Sequence, residues 1–221
     1  MVTPGGGDVA DQTARKNNRQ KSRRDELLDA ARELFFENGY RGTTMQQIAG
    51  HAGYSKRTVY LDYLNKDELF ISVCAEGGEF LLEKLSPIPV CVMSVEESID
   101  RFLDVYVDFS RDHREYFRMI FGESAPDIIA NCTPELRDRV AGLERACLGV
   151  LVELTERAVR EKIIPPIDPW EAAGIFVGTA TGIILLSMGG SQTVFSRETL
   201  ESLMKNAIRT LWRGLRAQNE P

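Results

Sequence analysis

Chemistry that needs clustered ligands has little to work with in this chain. There are two histidines, His51 and His113, and neither has a metal-ligand partner three or four residues on. The four cysteines, Cys74, Cys91, Cys132 and Cys147, lie far apart and form no C-x-x-C pair. They read as reduced structural thiols of a reducing cytoplasm, not as a disulfide framework or a zinc site. No G-x-S-x-G, phosphate-binding loop or dinucleotide fingerprint occurs, and the carboxylates are scattered over polar helix faces. No catalytic residue, metal or cofactor is therefore expected. The alternation of a β-strand is missing, as is any internal repeat. The amino terminus is Gly-rich and polar and lacks the apolar stretch of a signal peptide. Net charge is −6, so the basic excess of a nucleic-acid binder is also missing from the chain as a whole.

Dividing the chain changes that last point. Residues 1–65 carry a net +2 and residues 66–221 a net −8. Between Arg15 and Arg24 there are six basic residues and no acidic one. An acidic second part would help keep that part off phosphate.

The stretch TTMQQIAGHAGYSKRTVYLDYLNKDEL, residues 43–69, organises the basic part. Thr44 is a good N-cap, and Gln47 stands three residues on, as a capping box requires. Ile48, Ala49 and Ala52 share one helical face, and Gly53 suits a left-handed turn. Ser55 is a second N-cap. Val59 then faces inward, which leaves Lys56, Arg57 and Thr58 pointing out. This is the pattern of a helix-turn-helix, whose second helix puts its first side chains against base edges in the major groove.

At these residues the sequence resembles the TetR family of bacterial transcriptional regulators. The likeness runs through FFENGYRGTT, IAGHAGYSKRTVY and YLDYLNKDELF, over residues 24–70, about a fifth of the chain. It implies an all-α fold of about nine or ten helices: a three-helix DNA-binding domain followed by a helical ligand-binding and dimerisation bundle. The expected boundaries are a disordered basic arm over 1–20, the DNA-binding domain over 21–66 and the bundle over 67–221. Thr44 and Ser55 can hold phosphate at helix N-termini. Gln46 is placed to reach a base edge or the backbone. Lys56, Arg57 and Thr58 are candidates for base readout, an Arg on guanine or a Thr methyl on thymine being apt. Tyr60 and Lys66 match family positions that touch the DNA backbone. Two residues depart from the family habit: Tyr54 replaces a small aliphatic, and Asp62 stands where a neutral or basic residue is usual.

The rest reads as helices. Leu27, Ala30, Ala31, Leu34 and Phe35 form the buried stripe of a first helix over about 23–38. Asn65 caps a helix over 66–85, which Pro87 and Pro89 end. Ser94 opens the next, to about 112, and a short one follows over 114–121. From Pro134 the residues Leu136, Val140, Leu143, Cys147, Val150 and Leu154 make a seam for another long helix. A helix follows over 169–188, and a last amphipathic one over 197–216 carries Leu200, Leu203, Ala207, Leu211 and Leu215.

Residues 172–190 contain no charge, but their Gly, Thr and Ser content and lack of flanking basic residues argue against a membrane anchor. Gly174, Gly178 and Gly182 permit close approach of another helix. The family resemblance implies a four-helix homodimer interface, here from the 135–163 and 169–188 helices, with Leu143, Cys147, Val150 and Leu154 beside the three glycines. Tyr106, Phe109, His113, Phe117, Phe121 and Phe176 are candidates to line an apolar effector pocket. The implied function is a cytoplasmic repressor that binds a palindromic double-stranded operator as a dimer and leaves it on binding a small hydrophobic or amphipathic effector. The competing classes are a helical enzyme or lipid-binding protein with an incidental motif, and a membrane-anchored regulator.

Overall fold

In the computed structural model, residues 7–122, 126–188 and 197–217 are described; they form ten α-helices and no strand. The chain divides into two compact units. The first comprises residues 1–73 and 125–137, the second 74–124 and 138–221. The boundary expected at 66/67 thus falls seven residues later, and a short excursion from the second part joins the first unit.

The first unit begins with α1 (Gly7–Gly42), interrupted at Gly39, whose φ of 68° only glycine adopts freely. Helix is thus present from Gly7 onward, where an unstructured arm was expected over 1–20. Ala, Gln, Arg and Lys are good helix formers, and extending an existing helix avoids the nucleation step. Leu27, Ala30, Ala31, Leu34 and Phe35 are all buried, as their spacing predicts. They meet Met45, Ile48 and Ala49 of α2 (Met45–His51), Val59 of α3 (Lys56–Asp62) and Leu69, Phe70 and Val73 of α4 (Lys66–Leu85) in one core. Phe70 sits edge-on to Phe35 and Tyr40, with ring centroids 5.2 and 5.0 Å away. Burying rings of this size contributes about 1.5–3 kcal/mol each. Helix α7 (Pro126–Ala130) and the start of α8 (Pro134–Arg160) belong to this unit. Asn131 donates to Asp67 at 2.7 Å, and Asn65 donates to the Asn131 carbonyl at 2.9 Å.

The second unit takes the remainder of α4 and α8, with α5 (Val95–Asp112), α6 (Arg114–Gly122), α9 (Pro169–Met188) and α10 (Arg197–Ala217). Ile99, Phe102, Leu103, Tyr106 and Phe109 form the buried stripe of α5, which packs on α6, α9 and α10. Among the described residues the most extensive helix–helix contact is that of α9 with α10.

Two expectations about packing meet the structure here. On α10 the buried stripe is Met204, Ile208 and Trp212, while Leu203 is 37% exposed and Ala207, Leu211 and Leu215 are half-buried. The helix carries two apolar stripes about one residue apart in phase, and its own chain covers one fully and the other in part; Leu200 lies outside the described side chains. On α8 the residues of the expected dimer seam divide between core and partly exposed positions. Leu143 lies against Gly78 of α4, and the Cys147 thiol points to the Gly78 carbonyl at 3.8 Å. Leu154, 2% exposed, is core and so unavailable to a partner, and Val150 is half-buried. A seam of threes and fours specifies that a helix packs, not on which neighbour.

Candidate nucleic-acid interface

Helix α2 starts as its residue types dictate. Thr44 N–H and Oγ1 both donate to Gln47 Oε1 at 2.8 Å, and the Gln47 N–H donates back to Thr44 Oγ1 at 3.3 Å. The helix ends where Gly53 turns at φ 74°, and the Tyr54 N–H donates to the Ala49 carbonyl at 2.8 Å. Ile48 and Ala49 have no exposure, so α2 and α3 cross closely at a small side chain. Ser55 then caps α3, accepting from the Thr58 N–H at 3.1 Å.

That geometry orients α3. Val59 is fully buried, whereas Lys56, Arg57 and Tyr60 are exposed, Tyr60 by 47%. The Lys56 ammonium stands 5.9 Å from the Tyr60 ring centroid, so the two share a face. Thr58 is half-buried, its hydroxyl 2.8 Å from that of Ser55. Gln46 is exposed on the first turn of α2. The structure thus brings Thr44, Gln46, Ser55, Lys56, Arg57, Thr58 and Tyr60 onto one helix pair.

Lys66 is placed differently. Its ammonium donates to the Tyr40 and Thr43 carbonyls at 2.8 and 2.9 Å and lies 4.0 Å from the Tyr40 ring centroid. Burial pushes its pKa down. It fastens the link between α1 and α2, a tie between residues more than twenty positions apart that no local pattern announces.

The two departures from family habit also find partners. The Tyr54 ring is half-buried, and its hydroxyl donates to Glu26 Oε2 at 2.5 Å, which raises the phenol pKa. Asp62 is buried and accepts from Arg23 Nε at 2.5 Å and Nη2 at 2.9 Å; that hydrogen bond raises the Arg23 pKa. Leu61 and Leu64, not singled out from sequence, are 69% and 60% exposed at the end of α3.

In the second unit the effector candidates divide. Tyr106, Phe117 and Phe121 form one aromatic cluster, with Phe117 and Phe121 centroids 4.7 Å apart and Tyr106 5.6 Å from Phe117. The Tyr106 hydroxyl, deeply buried, is 2.6 Å from Thr181 Oγ1. Phe109 and His113 line a recess of about 260 Å³ with Lys84 and Arg101. Phe176 lines another, apolar and about 290 Å³, with Ile175 and Leu211 between α9 and α10. The six residues therefore do not share one cavity among those described.

Gly174, Gly178 and Gly182 lie exposed along α9, with open space where each side chain would be. Ile175 and Leu186 flank them at 44% and 61% exposure. Helix α9 is also long and apolar enough to cross a membrane, with 28% of its apolar window buried. Its other face, Ala172, Ala173, Phe176, Ala180 and Ile184, is packed inside this unit.

A capped pair of short helices with a cationic, exposed second member, joined to a helical second unit, defines a helix-turn-helix DNA-binding regulator. Known proteins agree. Residues 27–73 match the bacterial regulatory proteins of the tetR family, and residues 99–211 match the tetracyclin repressor-like C-terminal domain. The chain belongs to the TetR family of transcriptional regulators. It is 27% identical over 143 residues to the uncharacterized HTH-type regulator YhgD of Bacillus subtilis, covering 65% of this chain and 72% of that one. It is 26% identical over 145 residues to the transcriptional activator FasR of Mycolicibacterium smegmatis, covering 65% and 64%. The fold is similar to that of FadR from Bacillus subtilis in complex with stearoyl-CoA, with a TM-score of 0.65 and 20% identity over 86% of this chain and 97% of that one.

Proposed function

We propose that two copies of this chain bind a palindromic operator through α2 and α3 and leave it when the helical unit takes up a small hydrophobic or amphipathic effector. The observation that carries the reading is α3: Val59 anchors it while Lys56, Arg57 and Tyr60 stand free at its surface. Gln46, Thr58 and the capped N-termini at Thr44 and Ser55 supplement these contacts, and Lys66 acts by holding the link that aims α2. Two-fold proteins match palindromic half-sites one helical turn apart.

The exposed glycine face of α9, with Leu143, Cys147 and Val150 of α8 only half-buried, supports a homodimer built from α8 and α9. Effector uptake acts through α4, which runs unbroken from Lys66 in the reading unit to Leu85 in the second. Acyl-CoA thioesters of graded chain length are the first probes, because FadR was solved with one. Repression by blocking a promoter and a cytoplasmic location complete the reading.

Binding to a palindrome selected from random duplex by the full chain tests the DNA assignment. Arg57→Ala with Tyr60→Ala is expected to weaken it at least tenfold, a good Arg–base contact being worth about 1–3 kcal/mol; unchanged affinity refutes the assignment. Gly178→Leu is expected to give monomers in sedimentation, and an unaltered dimer counts against the α9 face. Recovery from the soluble fraction without detergent is expected, and a detergent requirement speaks for a membrane anchor.

A further inference from the structure

Asp62 ends the reading helix, and its carboxylate does not face solvent. The side chain has no exposure. It accepts from Arg23 Nε and Nη2 at 2.5 and 2.9 Å and from Gln20 Nε2 at 3.5 Å. The Asp62 carbonyl accepts from Arg24 Nη1 at 2.8 Å, and the Arg24 guanidinium lies 4.6 Å from the Tyr63 ring centroid. The Tyr63 hydroxyl closes the joint by donating to the Arg24 carbonyl at 3.1 Å. A buried carboxylate is tolerated only when paired and hydrogen-bonded, so residues 20–24 are strongly held at the end of α3.

The held segment is the middle of a helix. Residues 7–19 of α1 continue beyond it for about 20 Å at 1.5 Å per residue. Of the six basic residues between 15 and 24, Arg23 and Arg24 serve the joint. Arg19 and Lys21 are exposed and form no ion pair among the described residues. Exposed cations of this kind are free to neutralise backbone phosphates, each releasing condensed counterions.

We propose that Asp62 is a positioning residue that fastens this basic extension of α1 to the end of the reading helix, and that Arg19 and Lys21 there make a second DNA contact, to backbone phosphates beside the groove that α3 enters. The inference rests on the DNA-reading assignment above. It predicts affinity without sequence preference, because phosphates are the same in every sequence.

The test measures binding of the full-length chain to the selected palindrome and to a random duplex of equal length, from 50 to 200 mM salt. Arg19→Ala with Lys21→Ala is expected to reduce the slope of log affinity against log salt by about 1.8 on both duplexes, shrinking the loss across that range about twelvefold. Asp62→Asn is expected to reduce the slope similarly, and to add nothing when combined with the double substitution. An unchanged slope in Arg19→Ala/Lys21→Ala overturns the proposal, and this arm stands even if Asp62→Asn fails to fold, since both side chains are exposed. Fully additive slopes overturn the role given to Asp62. Failure of the parent to prefer the palindrome removes the reading assignment itself, a result distinct from a parent that binds with the same slope as its variants.

Discussion

The two units rely on polar side chains to different degrees. In the reading unit they make the joints: Asp62 holds α1, Lys66 holds the link to α2, and the Thr43 hydroxyl donates to the Leu34 and Gly39 carbonyls at 3.1 and 2.9 Å. In the second unit rings and aliphatic stripes make most of the joints, beside polar ties such as Tyr106 to Thr181 and Arg157 to the Val90 and Met93 carbonyls, and the charged pairs that tie α10 to α5, such as Lys205–Asp104 and Arg216–Glu96, lie at its surface. Short helices bury too little apolar area to fix their own angles, so directional bonds must do it. Long helices fix theirs by packing.

The difference is tested first where it predicts most. Phe117, with no exposure, packs between Phe121 and Tyr106. Phe117→Ala is expected to destabilise the second unit by about 3–5 kcal/mol, read from urea unfolding. A loss below about 1 kcal/mol would mean that the ring lines space an effector can fill, which restores it to the pocket.

The two units were unequally legible in the sequence for the same reason. Thr44, Gln47, Gly53 and Ser55 act on backbone within a few residues, so the reading pair could be drawn from spacing alone. Ser94, Pro134 and Pro169 likewise marked helix starts. What remained hidden needed partners far along the chain. Asp62 meets Arg23 across 39 positions, and Lys66 meets Tyr40 across 26. Nor could spacing tell which of the two stripes on α10 its own chain covers more fully, or that Leu143 and Cys147 of α8 sit beside Gly78 of α4. An aromatic stripe looks the same whether it lines a core or a pocket.

A middle-sized effect is expected at a polar joint. Lys66→Met keeps the stem but leaves the Tyr40 and Thr43 carbonyls without their shared donor. Such a loss costs about 1–3 kcal/mol. The second unit offers the control, since Arg209→Met removes a surface pair to Asp100, worth about 0–1 kcal/mol. If both substitutions cost the same by chemical denaturation, the contrast between the units fails.

The smallest effect compares one motif used in both units. Thr44 with Gln47 and Ser94 with Glu97 are both capping boxes, but only the second can lose its charge. The Ser94 hydroxyl and N–H donate to Glu97 Oε2 at 2.7 and 2.9 Å, and the hydroxyl bond first, then the backbone bond, hold the Glu97 pKa below the usual 4.5. Above that value the carboxylate is ionised whether folded or unfolded, and the cap contributes fully. As pH falls below it the unfolded chain takes up the proton first, so stability declines until pH passes the lowered folded value. Urea unfolding from about pH 6 to about pH 3 is therefore expected to show a fall in the parent that Glu97→Gln flattens, whereas Gln47→Glu, placed in the reading unit, is expected to add a fall of the same sign. A parent and Glu97→Gln with parallel profiles would mean that the cap of α5 gains nothing from its charge.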